Sequence, residues 1–95
     1  MKTIWKYPLK VTDWQQIELP VDYEILSIHT QHNNPCLWIL VDPDNRKEKI
    51  SIRTYGTGHL IDLDKLNKLQ FIGTYLIHQE TLVFHVFSIK SLDIG

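Results

Sequence analysis

The sequence predicts an antiparallel, mainly β domain, and three observations carry that expectation. β-Branched and aromatic residues recur in short runs that alternate with polar residues at a period of two. The runs are separated by turn-forming clusters such as His32-Asn33-Asn34-Pro35 and Asp42-Pro43-Asp44-Asn45. Only residues 60–69 show helix-like spacing. The expected architecture is a small antiparallel meander that closes into a barrel or folds over as a sandwich, with one short helical turn near 62–69. The 95 residues make a single domain, with 90–95 as a loose tail.

Taken in order, residues 3–9 form the first expected strand, with Pro8 marking an edge or an end because it has no N–H to donate. Residues 15–19, stopped by Pro20, form the second, and the simplest pairing of the two is an N-terminal hairpin. Residues 23–31 follow, with Leu26, Ile28 and Thr30 on one face and Ile25, Ser27 and His29 on the other. Residues 36–41 are apolar throughout, which predicts a strand covered on both faces. Residues 48–55 alternate cleanly. Ile50, Ile52 and Thr54 point to the core, and Lys49, Ser51, Arg53 and Tyr55 point away. Asp62 or Asp64 is placed to cap a turn carrying Leu63, Leu66 and Leu69. Residues 70–78 and 82–89 complete the order. Trp38, Phe71, Tyr75 and Phe84 are expected core aromatics, whereas Trp5, Trp14 and Tyr23 are candidates for a pocket rim.

Composition narrows the function classes. Hydrophobic residues make up 43%, enough for one core, and 10 basic against 11 acidic residues leave a net charge of −1. A protein that binds a nucleic-acid backbone normally carries a basic excess, so no nucleic acid is expected as partner. The lone Cys36 has no disulfide partner, which suggests a reducing compartment and a cytoplasmic location. The start has no apolar segment of a signal peptide, and no run is long enough to span a membrane. The strands 36–41 and 82–87, apolar on both faces, favour a homo-oligomer in which a second chain covers the surplus.

The stretch richest in chemistry is Arg53-Thr54-Tyr55-Gly56-Thr57-Gly58-His59, where a strand runs into a Gly-x-Gly loop. Two such glycines let backbone N–H groups turn toward one point, a nest suited to phosphate oxygens. Arg53 offers a bidentate fork, Thr57 a hydroxyl, and His59 a further donor. Tyr55, on the face of Arg53, would stack on a base. Lys49 shares that face about 13 Å away, a span that fits two phosphates of one nucleotide. The expected ligand-binding set is therefore Lys49, Arg53, Tyr55, Gly56, Thr57, Gly58 and His59. The plainer reading is a turn whose glycines satisfy a positive φ. Neither a Rossmann fingerprint nor a P-loop is present: Ile61 stands where a third glycine would be needed, and Gly-Lys-Ser/Thr is absent.

Other chemistries find less support. His59, Asp62 and Asp64 have a metal-like spacing, yet the aspartates are more simply helix-start residues, and neither metal nor cofactor is expected. There is no Gly-x-Ser-x-Gly elbow, and His85 lies between Phe84 and Val86 as core histidines do. No catalytic residue is assigned.

Four motifs together resemble a known family. They are Met1-Lys2-Thr3-Ile4-Trp5-Lys6-Tyr7, then Pro35-Cys36-Leu37-Trp38 running into Leu40-Val41-Asp42-Pro43, then Tyr55-Gly56-Thr57-Gly58-His59, and finally Leu82-Val83-Phe84-His85-Val86-Phe87. In this order they are similar to a family of short proteins common in bacteriophages, classed as a domain of unknown function, number 7352. The resemblance implies a small accessory protein made inside an infected bacterium. Proteins of that setting often inhibit host defence, and some sequester cyclic-nucleotide or ADP-ribose-type immune signals. The resulting expectation is a non-catalytic binder of a small nucleotide-derived anion. The alternatives are an interaction module that inhibits a host factor and a small phosphoesterase.

Overall fold

The computed structural model describes residues 1–89, and the expected tail at 90–95 lies outside them. The strands are β1 (Thr3–Pro8), β2 (Trp14–Pro20), β3 (Glu24–Gln31), β4 (Asn34–Val41), β5 (Lys47–Gly56), β6 (Leu69–Ile77) and β7 (Leu82–Ile89). One helical turn, α1 (Leu63–Leu66), interrupts the series. The strands form two antiparallel sheets, ordered β1-β4-β3 and β2-β5-β7-β6. The sheets do not close into a barrel; they stack as a sandwich. A shortest dimension of 16 Å between Cα atoms fits two layers about 10 Å apart.

The pairing departs from a run of consecutive hairpins. Only β3–β4 and β6–β7 are hairpins of sequence neighbours. The expected N-terminal hairpin is replaced by two long-range pairings: β1 lies along β4, with Trp5 opposite Ile39, and β2 lies along β5, with Ile17 opposite Ile50. The exchange has a physical reason. Pairing β1 with β2 would put both in one layer, whereas their separation gives Leu37 and Ile39 of β4 a partner on each side, Val41 a partner on β1, and all three a second sheet opposite. All three are fully buried.

The core draws on both layers: Leu37, Ile39, Val41 and Ile28 from one sheet, and Ile17, Leu19, Ile52, Tyr75, Ile77 and Val86 from the other. Cys36 is buried on the opposite face of β4, beside half-buried Trp38 and Leu40, so that strand is covered fully on one side and partly on the other. β5 follows its alternation, with Ile52 and Thr54 buried. A register shift between Ile25 and Ser27 leaves Leu26 as an extra residue. The bulge turns Leu26 outward and lets Ile25 join Ile28 on the core side, which simple alternation does not allow. Phe71 is likewise exposed rather than core, because a second shift between Phe71 and Gly73 admits Ile72 to the core instead.

Gly73 lies at a close contact between β6 and β3. A Cβ there would stand 2.6 Å from Cγ2 of Ile28, a branch methyl that cannot swing aside without moving the chain. Gly73→Ala is expected to cost about 1–3 kcal/mol in urea unfolding. Ile28→Leu, which removes that methyl, should restore part of the loss in the double variant. Additive losses would mean that the contact is not what selects glycine.

Tyr75 is buried against Phe84, with ring centroids 5.4 Å apart, and its hydroxyl has no hydrogen-bond partner among the described residues. A buried polar group left unpaired costs roughly 1–3 kcal/mol, so Tyr75→Phe is expected to raise stability by about 1 kcal/mol. Burial also holds the Tyr75 pKa above the ordinary tyrosine value. The folded chain then keeps this proton longer than the unfolded chain. Its contribution to stability is intact below the ordinary value and is lost as pH rises toward the folded one. Tyr75→Phe should therefore flatten the alkaline limb of a pH–stability curve; an unchanged limb would contradict the assignment.

Candidate functional site

β5 and β6 both pair antiparallel with β7, so they run parallel to each other. The connection between them must therefore travel back along the sheet, and it does so past the outward face of β5. Arg53, Thr54 and Tyr55 from β5, His59, Leu60 and Lys65 from the connection, and Asp13 ahead of β2 line one open cleft of about 240 Å³. Asp13 is held there because its carbonyl accepts the Thr54 N–H at 3.0 Å, which extends the β2–β5 ladder by one bond. Lys65 arrives on α1, whose N-cap is Asp62, although the Asp62 side chain makes no capping bond and no residue of α1 is buried.

Arg53 is half-buried, directly opposite Trp14 on β2 and Phe87 on β7. Tyr55 packs edge-on against Phe87, with centroids 5.9 Å apart. Among the described residues, neither Arg53 nor Lys65 forms an ion pair. Two guanidinium- or ammonium-bearing side chains thus converge on an open cleft that holds one carboxylate, Asp13. The excess of cation over anion is local, since the chain as a whole is slightly acidic.

The Gly-x-Gly loop is built differently from a nest. The His59 N–H donates to the Gly56 carbonyl at 3.1 Å, closing a four-residue turn. Gly58 takes φ 89°, which such a turn reserves for glycine. The Gly56 N–H donates to Nδ1 of His59 at 3.2 Å, and the Thr57 N–H donates to the Val83 carbonyl at 3.3 Å. With these donors committed, the loop shapes the corner of the cleft. An Nδ1 that accepts leaves Nε2 as the N–H of the His59 ring. A Cβ at Gly56 would meet that ring at 3.0 Å, so a larger residue there would push the His59 ring outward by a few tenths of an ångström.

Thr57 is turned toward His85, with Oγ1 2.8 Å from Nε2, while Oγ1 of Thr74 lies 2.9 Å from Nδ1. This places a hydroxyl on an imidazole, but behind the ring stands a second hydroxyl rather than a carboxylate that would fix its tautomer. His85 is half-buried on the outward face and not in the core. Gly56, Thr57 and His59 also border a neighbouring hollow of about 400 Å³ with Thr81, Leu82, Val83 and Phe84.

Of the residues expected from the sequence, the fold brings Arg53, Tyr55 and His59 into one cleft. Gly56, Thr57 and Gly58 form its turn, and Lys49 lies four residues back along β5, exposed and opposite Glu18. Lys65 and Asp13 were not legible as site residues. Their approach depends on the path of the crossover and on the β2–β5 pairing, and neither has a local signal.

The family model described as "Domain of unknown function (DUF7352)" matches residues 1–93. This chain belongs to that family. The match spans both sheets, the crossover and every cleft residue. No curated protein and no solved structure matches the chain. Among the described residues, no helix of this DUF7352 protein is long and apolar enough to cross a membrane.

Proposed function

We propose that this chain is a bacteriophage accessory protein of the host cytoplasm that binds a small nucleotide-derived anion and holds it without chemical change. The observation that carries the reading is the cleft itself. Arg53 and Lys65, unpaired among the described residues, converge with His59 and the Tyr55 ring on one open site. Guanidinium and ammonium suit phosphate oxygens, and the aromatic rings around Arg53 suit a base. Asp13 at the rim is suited to accept hydrogen bonds from a ribose or an exocyclic amine. Holding is favoured over cleavage because the Thr57–His85 pair lacks an orienting carboxylate.

The crossover adds an argument for a second subunit. Leu60 is 96% exposed and Leu63 76%, with Leu66 beside them at 42%. Leu60 lines the cleft, and a second chain covering it would also close the site, slowing release of a sequestered ligand. Light scattering at micromolar concentration should return a multiple of the 11.2 kDa chain mass; a monomer would leave the cleft to act alone. The same leucines favour the second reading, an interaction module that docks on a host factor and needs no ligand.

A depletion experiment separates the readings. The protein is incubated with a panel of cyclic dinucleotides and ADP-ribose derivatives, free ligand is removed, and the protein is denatured. Intact compound in the released fraction supports sequestration. Altered compound would point to a phosphoesterase, and no depletion of any compound would leave the interaction module.

A further inference from the structure

The outward face of the four-stranded sheet carries a feature that the cleft does not use in full. Trp14, Arg53, Phe87 and Phe71 stand opposite one another in a single cross-strand row, one residue from each of β2, β5, β7 and β6. Phe71 packs edge-on against Phe87 at 5.3 Å. The two ends of the row are open, with Trp14 48% and Phe71 58% exposed, although both are large rings on a sheet face. Three strand spacings separate them, about 14 Å. Between the two exposed rings lies Arg53, which has no anionic partner among the described residues.

We infer that this row reads a dinucleotide: one base stacks on Trp14, the other on Phe71, and the linking phosphate meets Arg53. The inference rests on the nucleotide-binding reading of the cleft and narrows its ligand class from one nucleoside unit to two. A span of about 14 Å is far longer than the roughly 3.4 Å between stacked bases, so the ligand binds with its bases splayed. A second copy of this chain is a poor occupant for the row. Two-fold docking about an axis along the row would bring two Arg53 guanidinium groups together, with the Asp13 of each cleft as the nearby carboxylate, and docking about an axis across it would set each Arg53 against an apolar Phe87 ring. A long single strand is disfavoured as well. Lys49, the next cation along β5, faces Glu18, so no basic track leads away from Arg53.

The test compares three probes on the intact protein by calorimetry: AMP, the linear dinucleotide ApA, and a long oligoadenylate. ApA should bind at least about tenfold more tightly than AMP, the gain of one further stacked base. Phe71→Leu, which keeps an apolar side chain on Phe87 but removes the stacking ring, should abolish that gain, so that ApA and AMP bind alike. Phe71→Tyr should retain it. Both substitutions are at an exposed position, and urea unfolding checks that each variant is folded. If ApA and AMP bind equally while Arg53→Ala weakens both, the cleft reading stands and the dinucleotide inference falls. Affinity that climbs further with the oligoadenylate would overturn it in favour of a strand binder. Binding of none of the probes would remove the nucleotide reading and the inference together.

Discussion

Replacing Ile39 with alanine is expected to remove about 2–5 kcal/mol of folding stability, the largest loss from any single substitution considered. Ile39 is fully buried at the centre of β4, opposite Trp5 on β1 and Ile25 on β3, with the second sheet across the core. Deleting its branched side chain loses the transfer energy of the removed carbons. It also leaves a cavity that two hydrogen-bonded neighbours prevent from collapsing. Domains of this size have only about 5–15 kcal/mol in total, so a thermal midpoint lower by roughly 10 °C or more should follow. Leu40→Ala is the control. Leu40 is next in the chain but half-buried on the outer face, and its loss should be clearly smaller. Equal losses for the two would mean that the two faces of β4 are equally packed, against the sandwich described above.

The strand positions were legible because each local signal agreed with the next. Turn residues, Pro positions and period-two alternation all placed β5 over nearly the same residues that it occupies, and the His32-Asn33 turn takes the positive φ values that close a tight hairpin. What stayed hidden was which strand pairs with which. Pairing of β1 with β4 and of β2 with β5 is decided by how two sheets bury one set of Ile, Leu and Val residues, and this leaves no trace in either strand alone. The bulges at Leu26 and Ile72 were hidden for a related reason. Each adds one residue to one strand of a pair, so alternation misassigns the face on one side of it. Phe71 followed from this: it reads as a core ring and instead lies open on the outer face.

The candidate site divides along the same line. Arg53, Tyr55 and His59 are near in sequence and share a strand or its adjoining turn, so their proximity was readable. The glycines were readable as a turn or as a nest, and the hydrogen bonds of Gly56, Thr57 and His59 select the turn. Lys65 and Asp13 complete the cleft from sequence distances that only the crossover and the β2–β5 ladder span. The aromatic row shows the gap most clearly. Trp14 and Phe71 are separated by most of the chain, and only the strand order β2-β5-β7-β6 puts them at the two ends of one line through Arg53.

Arg53→Ala is expected to weaken binding of the retained ligand by about 1.5–3 kcal/mol, roughly ten- to a hundredfold. The size follows from where Arg53 sits in the cleft. It is half-buried between Trp14 and Phe87, so its charge is less screened than that of a surface lysine, and among the described residues no carboxylate, Asp13 of the cleft included, lies within ion-pair distance of it. Truncation removes a charge-assisted pair and leaves the ligand's phosphate against aromatic rings that cannot solvate it. Arg53→Lys should recover only part of the loss, since a point charge cannot reproduce the paired donors of a planar fork. Lys49→Ala, exposed and opposite Glu18 outside the cleft, should change affinity by less than about 0.5 kcal/mol. The readout is calorimetric titration of ADP-ribose or of a cyclic dinucleotide retained by the wild-type chain, with urea unfolding to confirm that each variant is folded. Loss at Lys49 with none at Arg53 would move the binding site off the cleft and toward the open end of β5.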